Sequence, residues 1–327
     1  KPNFNYLITM ILTNKFTWLL GLIVLMSSCL EESVSDIELA MERDDLILEE
    51  YIASNSIVAT KAQSGYYYTK TVENPDGEQF VNADFIGVYY EIKTIDGQLI
   101  DSYMDETKEP RIFKYSQDGL WPISITYASG LAKVGEELTV YSPSYLAFGN
   151  YGFETLILPS SNLVIKLKYA AKYTEEELMQ REETMIADYI AAEQLEGFVE
   201  VAEGVYMRTV TEGDDTETES KLGSNVSVDF ELFELGEEDP VFESYESNQP
   251  TTVSIGNSGL EFLNKSLIDV LPDQKIEVLS TSFNAYDQSI QIFPSAIRQD
   301  LVNMGEQIDL VKPFTPILFK AEILSVN

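Results

Sequence analysis

The chain repeats itself once, and that constrains its fold more than any other feature. Residues 48–55 return as 186–193, 65–70 as 204–209, 88–93 as 228–233, 138–145 as 276–283 and 163–168 as 317–322. The spacing is about 140 residues and the order of the matches is kept, which scattered chance similarities would not do. Two copies of this length are too few and too long for a solenoid, so the repeat is expected to be two tandem domains of one kind.

Within each copy the local signals are mixed. A hydroxyl residue followed three places on by glutamate marks a helix start, at Ser35–Glu38 and again at Thr174–Glu177. Apolar residues then recur at helical spacing, as Ile37, Ala40, Met41, Leu48, Tyr51 and Ile52 in the first copy and Leu178, Met185, Ile186, Tyr189 and Ile190 in the second. Alternating Tyr, Val and Ile predict strands over 66–71, 84–93, 138–142 and 163–169, with Asp96-Gly97 as a hairpin turn. A short helix is expected near Ile123–Leu131, with Pro122 at its first position. Strands dominating around one short helix indicate an α+β domain, an antiparallel sheet wrapped on that helix and preceded by an N-terminal helix. The acidic stretches 213–220 and 236–240 read as solvated loops, where a calcium site is a minor alternative.

The N-terminus reads as an address. Lys15 precedes an apolar run over 16–26, then Ser27, Ser28 and Cys29. A basic residue, a short apolar core and small residues before a break make a secretory signal, and the run is shorter than the roughly 20 residues a bilayer span needs. The first residue is Lys1, and Met10 would make a compact alternative start. A cysteine directly after the small pair resembles the lipobox of bacterial lipoproteins, in which Cys29 would carry the lipid and place the protein in the cell envelope, anchored to membrane. Acidic residues after that cysteine resemble the surface-export signal of Bacteroidetes lipoproteins. Cleavage would remove Lys1 and Lys15, two basic residues and no acidic ones, taking the formal charge from -34 to -36.

Composition narrows the chemistry. With no histidine and one cysteine, Ser-His-Asp and Cys-His catalysis, histidine-bound metals and an intramolecular disulfide are excluded. The strong negative charge argues against nucleic acid, which needs a basic footprint. With 44% hydrophobic residues the chain can still build a core.

Four segments of the first copy carry a resemblance. They are Asp96–Ser102 (DGQLIDS), Lys133–Glu137 (KVGEE), Ser142–Gly149 (SPSYLAFG) and Leu156–Pro159 (LILP) ahead of Leu163–Leu167. In this order across about 110 residues they resemble the FKBP-type peptidyl-prolyl cis-trans isomerases, in particular the lipoprotein members of Bacteroidetes. The resemblance implies two FKBP-like domains at 62–172 and 197–327. Residues 1–28 would be the signal peptide, 29–61 a tether and helix, and 173–196 a linker helix. It implies an isomerase and folding activity in the first domain, acting on proline-containing polypeptide clients without metal or cofactor. The alternative is a non-catalytic FKBP-fold module that binds a peptide or partner.

The resemblance also assigns a pocket. Tyr90 takes the family's pocket tyrosine, Asp101 the aspartate that orients it, Phe113 a pocket aromatic, and Leu156 and Ile157 the apolar pair on the flap. Ile100 and Ile165 stand where phenylalanine is usual, and Phe148 where a tyrosine offers its hydroxyl. The pocket-floor tryptophan falls on Ile125 by counting from Gly135, with Trp121 four residues earlier. In the second copy Phe230 replaces the tyrosine, Phe242-Glu243-Ser244 the Phe-Asp-Ser, and Phe319 keeps the closing-strand aromatic. About twenty residues over 288–307 interrupt its flap, and this copy reads as degenerate. Convergence of Tyr90, Asp101, Phe113, Phe148 and Ile157 on one open concavity would favour the enzyme. A pocket filled by Trp121 or the flap would favour binding or scaffolding.

Overall fold

A computed structural model describes residues 36–117, 119–244, 250–287 and 289–327. Ser35 and Cys29 lie outside them. Of the described residues, 36–43 belong to one unit and Asp44–Asn327 form a second, compact body.

That body holds the same sheet twice. The first comprises β1 (Thr60–Lys61), β2 (Tyr67–Val72), β3 (Phe85–Thr94), β4 (Leu99–Tyr103), β5 (Arg111–Lys114), β7 (Glu137–Ser142) and β8 (Leu163–Tyr173), with β6 (Leu120–Trp121) outside it. Its order is β1-β2-β7-β8-β3-β4, with β5 also on β3, and its pairs are antiparallel. The second comprises β9 (Val199–Ala202), β10 (Val205–Thr211), β11 (Asn225–Glu234), β12 (Phe242–Glu243), β13 (Thr251–Ser254), β14 (Lys275–Ser280) and β16 (Ile317–Val326). Its order, β9-β10-β14-β16-β11-β12 with β13 also on β11, is that of the first sheet. The α+β class with antiparallel sheets is therefore as the sequence indicates.

Local chemistry sets the strand ends. Gly97 turns the hairpin between β3 and β4 at φ +95, a backbone angle glycine adopts without steric cost. The short helix in the first sheet spans Ile123–Ser129, two residues less than expected. Pro122 is its N-cap, one place earlier than expected, because its extended backbone (ψ 141) lies outside the helix. Ile125 and Ala128 on this helix meet Ile86, Val88, Tyr90 and Ile92 of β3 and Leu138 and Val140 of β7 in one core.

A longer helix covers the other face of each sheet. The first, Asp36–Ser54, places Leu48 against Tyr67 and Tyr141. The second, Glu175–Ala192, places Ile186 against Phe233, Leu279 and Leu318. Its start is the capping box expected at Thr174, whose hydroxyl accepts from the Glu177 N–H while Glu177 accepts from the Thr174 N–H at 2.8 Å.

Each helix also sends one buried carboxylate to the same place in its own domain. Asp44 accepts from the Ser144 N–H (2.8 Å) and hydroxyl (2.6 Å), and Glu182 accepts from the Ser282 N–H (2.6 Å) and hydroxyl (2.8 Å). Both serines open a 3-10 turn, Ser144–Leu146 and Ser282–Asn284, whose first N–H groups have no partner within the turn. The acid satisfies that need inside the buried interior.

Two features join the domains. Phe85 and Ile112 of the first sheet share a cluster with Leu178, Phe283 and Phe314, with the Phe85 and Phe314 rings edge-on at 5.3 Å. The second is the stretch that interrupts the second copy's flap. It forms β15 (Gln291–Ile292), a 3-10 turn (Ser295–Ile297) and a helix (Arg298–Asn303). Gln291 and Ile292 pair in parallel with Leu120 and Trp121 of β6, so the segment adds to the first domain.

Candidate functional site

The assigned residues of the first domain gather on one wall. Tyr90 comes from β3, Ile100 and Asp101 from β4, Phe113 from β5 and Ile165 from β8. Ile125 comes from the short helix, Phe148 from just beyond the 3-10 turn, and Leu156 and Ile157 from the flap. Tyr90, Ile100, Phe113, Ile125, Phe148, Ile157 and Ile165 are buried in a single core cluster, with Trp121 and Leu156 packed against it. Alternation along β3 and β8 turns Tyr90 and Ile165 to the same side as the helix.

One polar pair sits in this wall. The Tyr90 hydroxyl donates to Asp101 Oδ2 at 2.6 Å, and the Ser102 N–H donates to Asp101 Oδ1 at 2.8 Å. Burial pushes the Tyr90 hydroxyl far above its ordinary range, and the neighbouring carboxylate raises it further, so it stays a neutral donor. Trp121 closes one side, edge-on to Phe148 at 5.0 Å and to Tyr151 at 5.5 Å. Ile125, not Trp121, lies fully buried on the helix, while Trp121 stands half-buried at the mouth.

The wall is not open. Phe293 from the second domain lies on Tyr90, ring centroids 3.9 Å apart and 26° from parallel. Phe293 is 1% exposed, and Ile292, Ile297 and Leu301 are buried in the first domain's core with it. The backbone is engaged as well. The Gln291 N–H donates to the Gly119 carbonyl at 3.0 Å, and the Phe293 N–H to the Trp121 carbonyl at 2.9 Å. On the flap, the Tyr151 hydroxyl donates to Asp300 Oδ2 at 2.8 Å. The open concavity expected of a free catalytic pocket is therefore absent in this conformation, and the occupant is neither Trp121 nor the first domain's flap.

The inserted segment is built to hold its shape. Arg298 is buried and donates to the Ser289 hydroxyl (3.1 Å) and to the Ile290 (2.6 Å) and Asp309 (2.8 Å) carbonyls, tying the two limbs together. Burial lowers its guanidinium to about 10, against the upward pull of the Glu234 and Asp309 carboxylates. The Ser289 hydroxyl donates to the Val311 carbonyl at 2.8 Å and closes the neck. Beyond it, Lys312 pairs with the buried Glu234 of β11 at 2.5 Å. Beside the segment a cavity of about 760 Å3 remains, lined by Trp121, Tyr151, Ile292, Leu301, Met304 and Ile308 among others.

Sequence reasoning missed Ile292, Phe293, Ile297 and Leu301. The available signal was the apolar content of an insertion that the repeat did not require. In the second domain Phe230 stacks on Phe242 at 5.3 Å and approaches Phe319 at 5.0 Å. The Ser244 hydroxyl accepts from the Phe230 N–H at 2.7 Å. That position thus carries a ring where the first domain carries the Tyr90 hydroxyl.

The tyrosine-aspartate pair set in an apolar wall, between an antiparallel sheet and a short helix, is the arrangement that the resemblance to the FKBP-type peptidyl-prolyl isomerases implies. The comparison with known proteins agrees. The chain is 31% identical over 142 residues to the probable FKBP-type peptidyl-prolyl cis-trans isomerase FkpA of Neisseria meningitidis serogroup B, a match covering 43% of this chain and 50% of the relative. The resemblance to the FKBP-type family is thus borne out, and the chain spans about half the length of that curated relative. No family model matches.

Among solved structures, FkpA from Escherichia coli aligns with 52% of this chain and 97% of its own, at 21% identity and a TM-score of 0.34. The three FKBP domains of wheat FKBP73 align with 81% of this chain and 96% of theirs, at 15% identity and a TM-score of 0.32. Overlaps this loose carry no argument.

Proposed function

We propose that the chain is an envelope lipoprotein, lipid-anchored through Cys29, whose first domain is a peptidyl-prolyl cis-trans isomerase acting on proline-containing segments of client polypeptides. The observation that carries this reading is the Tyr90–Asp101 hydrogen bond within the apolar wall. Prolyl isomerisation breaks no covalent bond; its barrier of about 18–20 kcal/mol is amide resonance. An apolar wall that strips water from the imide favours the twisted, less polarised amide, and a fixed neutral hydroxyl can hold a substrate carbonyl. The similarity to a probable FKBP-type isomerase supports the same reading.

A second reading is favoured by the segment lying on that wall. If Phe293 never leaves Tyr90, the first domain is a socket for the second, and the chain is a non-catalytic FKBP-fold scaffold or binding lipoprotein. The two separate in a proline-isomer exchange assay on the mature chain and on Phe293→Ala. Exchange above buffer that is lost when Asp101→Ala is added supports the isomerase. Rates equal to buffer in both chains leave the binding reading. The anchor is tested separately, by whether Cys29→Ala abolishes incorporation of labelled fatty acid.

A further inference from the structure

The segment over the pocket has the chemistry of something the pocket should bind. Ile292-Phe293-Pro294 presents two apolar side chains and a proline. It enters as an extended strand, paired with β6 and hydrogen-bonded to the carbonyls of Gly119 and Trp121. This is β-strand addition, in which backbone bonds supply general affinity and side-chain pockets supply selectivity.

The other pocket-mouth contacts are equally specific. Tyr151 on the first domain's flap bonds Asp300 of the segment, and Trp121 lines both the pocket and the adjoining cavity. The segment is also a separable unit. Its limbs meet at the Ser289–Val311 hydrogen bond, and Arg298 holds them together independently of the first domain.

We infer that residues 290–310 form an autoinhibitory plug, an internal ligand of the first domain's prolyl pocket that must leave before an external polypeptide segment can enter. This rests on the reading of that pocket as a peptidyl-prolyl site. A tethered ligand acts at an effective concentration of about millimolar, set by its linker, so it outcompetes a free peptide of ordinary affinity without needing tight contacts of its own. The same tether makes the closure reversible. A client able to engage the neighbouring cavity and the pocket together displaces the plug more readily than a lone short peptide does. The cavity beside Trp121, Met304 and Ile308 gives such a client a first foothold with the plug still seated.

The test uses the mature chain, in which Trp121 is the single tryptophan and stands at the pocket mouth. Its fluorescence is titrated with a synthetic peptide of residues 290–297. The partner chain for comparison has residues 290–310 replaced by a short Gly-Ser turn, which the closeness of the Ser289 hydroxyl to the Val311 carbonyl permits sterically. Binding by the excised chain, weakened about tenfold or more in the intact chain, is the expected result. Equal binding by both overturns the plug, and so does a folded excised chain that binds no peptide.

Phe293→Ala serves as a second variant should excision unfold the protein; it should bind the peptide more tightly than the intact chain, and equal or weaker binding overturns the plug. On the unaltered chain the amides of Gln291 and Phe293 should exchange as slowly as those of β3, and exchange at solvent rates would also overturn it. An excised chain that binds the peptide yet leaves proline exchange at the buffer rate keeps the plug and ends the isomerase reading.

Discussion

Tyr90 is buried and donates its hydroxyl to the half-buried Asp101 carboxylate, so Asp101 matters to stability. Removing the acceptor leaves a buried donor unsatisfied, which costs about 1–3 kcal/mol. Asp101→Ala should lower unfolding free energy by that amount in urea titration, and adding Tyr90→Phe should recover most of it. Equal losses in the single and double variants would contradict the pairing.

Glu182 makes the second residue-scale case. Its carboxyl is pushed from an ordinary 4.5 up to about 7 by burial, which the two Ser282 hydrogen bonds only partly offset. Below pH 4.5 the group is protonated in folded and unfolded chains alike, and its contribution is fully present. As pH rises from 4.5 through 7 the unfolded chain ionises freely while the folded chain resists, so stability is lost. Glu182→Gln should flatten that decline, by about 1–3 kcal/mol between pH 4.5 and 8 in paired denaturation curves. An unchanged slope would contradict the assignment. The Tyr90–Asp101 pairing was implied by the family resemblance, but this role could not be read from sequence: a glutamate inside a charged helix looks like a solvated one until a serine 100 residues away is folded onto it.

At the scale of elements, much was legible because the signals are local. The capping box at Thr174 depends on residues three apart, and the structure has both of its hydrogen bonds. Thr174→Ala should destabilise the chain by about 1 kcal/mol in thermal or urea unfolding, with the helix otherwise intact. The four strands expected in the first copy follow from alternation, with ends displaced by a residue or more, as at β3 and β8, and the repeat carries them to the second. The insertion over 288–307 was legible as an interruption of the repeat, but its destination was not. Its strand is two residues long and pairs with a two-residue strand some 170 positions earlier, so no local period announces it. Phe293→Ala deletes a fully buried ring and should cost about 3–5 kcal/mol if the segment is held as described.

At the scale of the molecule, the repeat in the sequence foretold two similar sheets, and both have the same strand order. It could not foretell that the second would lend part of itself to the first. The pocket residues were nameable one by one from the family resemblance, but whether they faced solvent depended on a long-range contact. With Phe293 in one core and Phe85, Leu178 and Phe314 sharing another, the domains have common apolar interiors. Urea unfolding followed by Trp121 fluorescence and by far-ultraviolet circular dichroism should therefore give coincident transitions. Two separated transitions would mean that the domains stand apart.

The apolar wall around Tyr90 and Asp101 is closed by a segment of its own chain. The most direct measurement is a nuclear Overhauser spectrum of the protein with labelled aromatic side chains. Strong cross-peaks between the ring protons of Tyr90 and Phe293 are expected from centroids 3.9 Å apart. Their absence in a folded chain would contradict the claim.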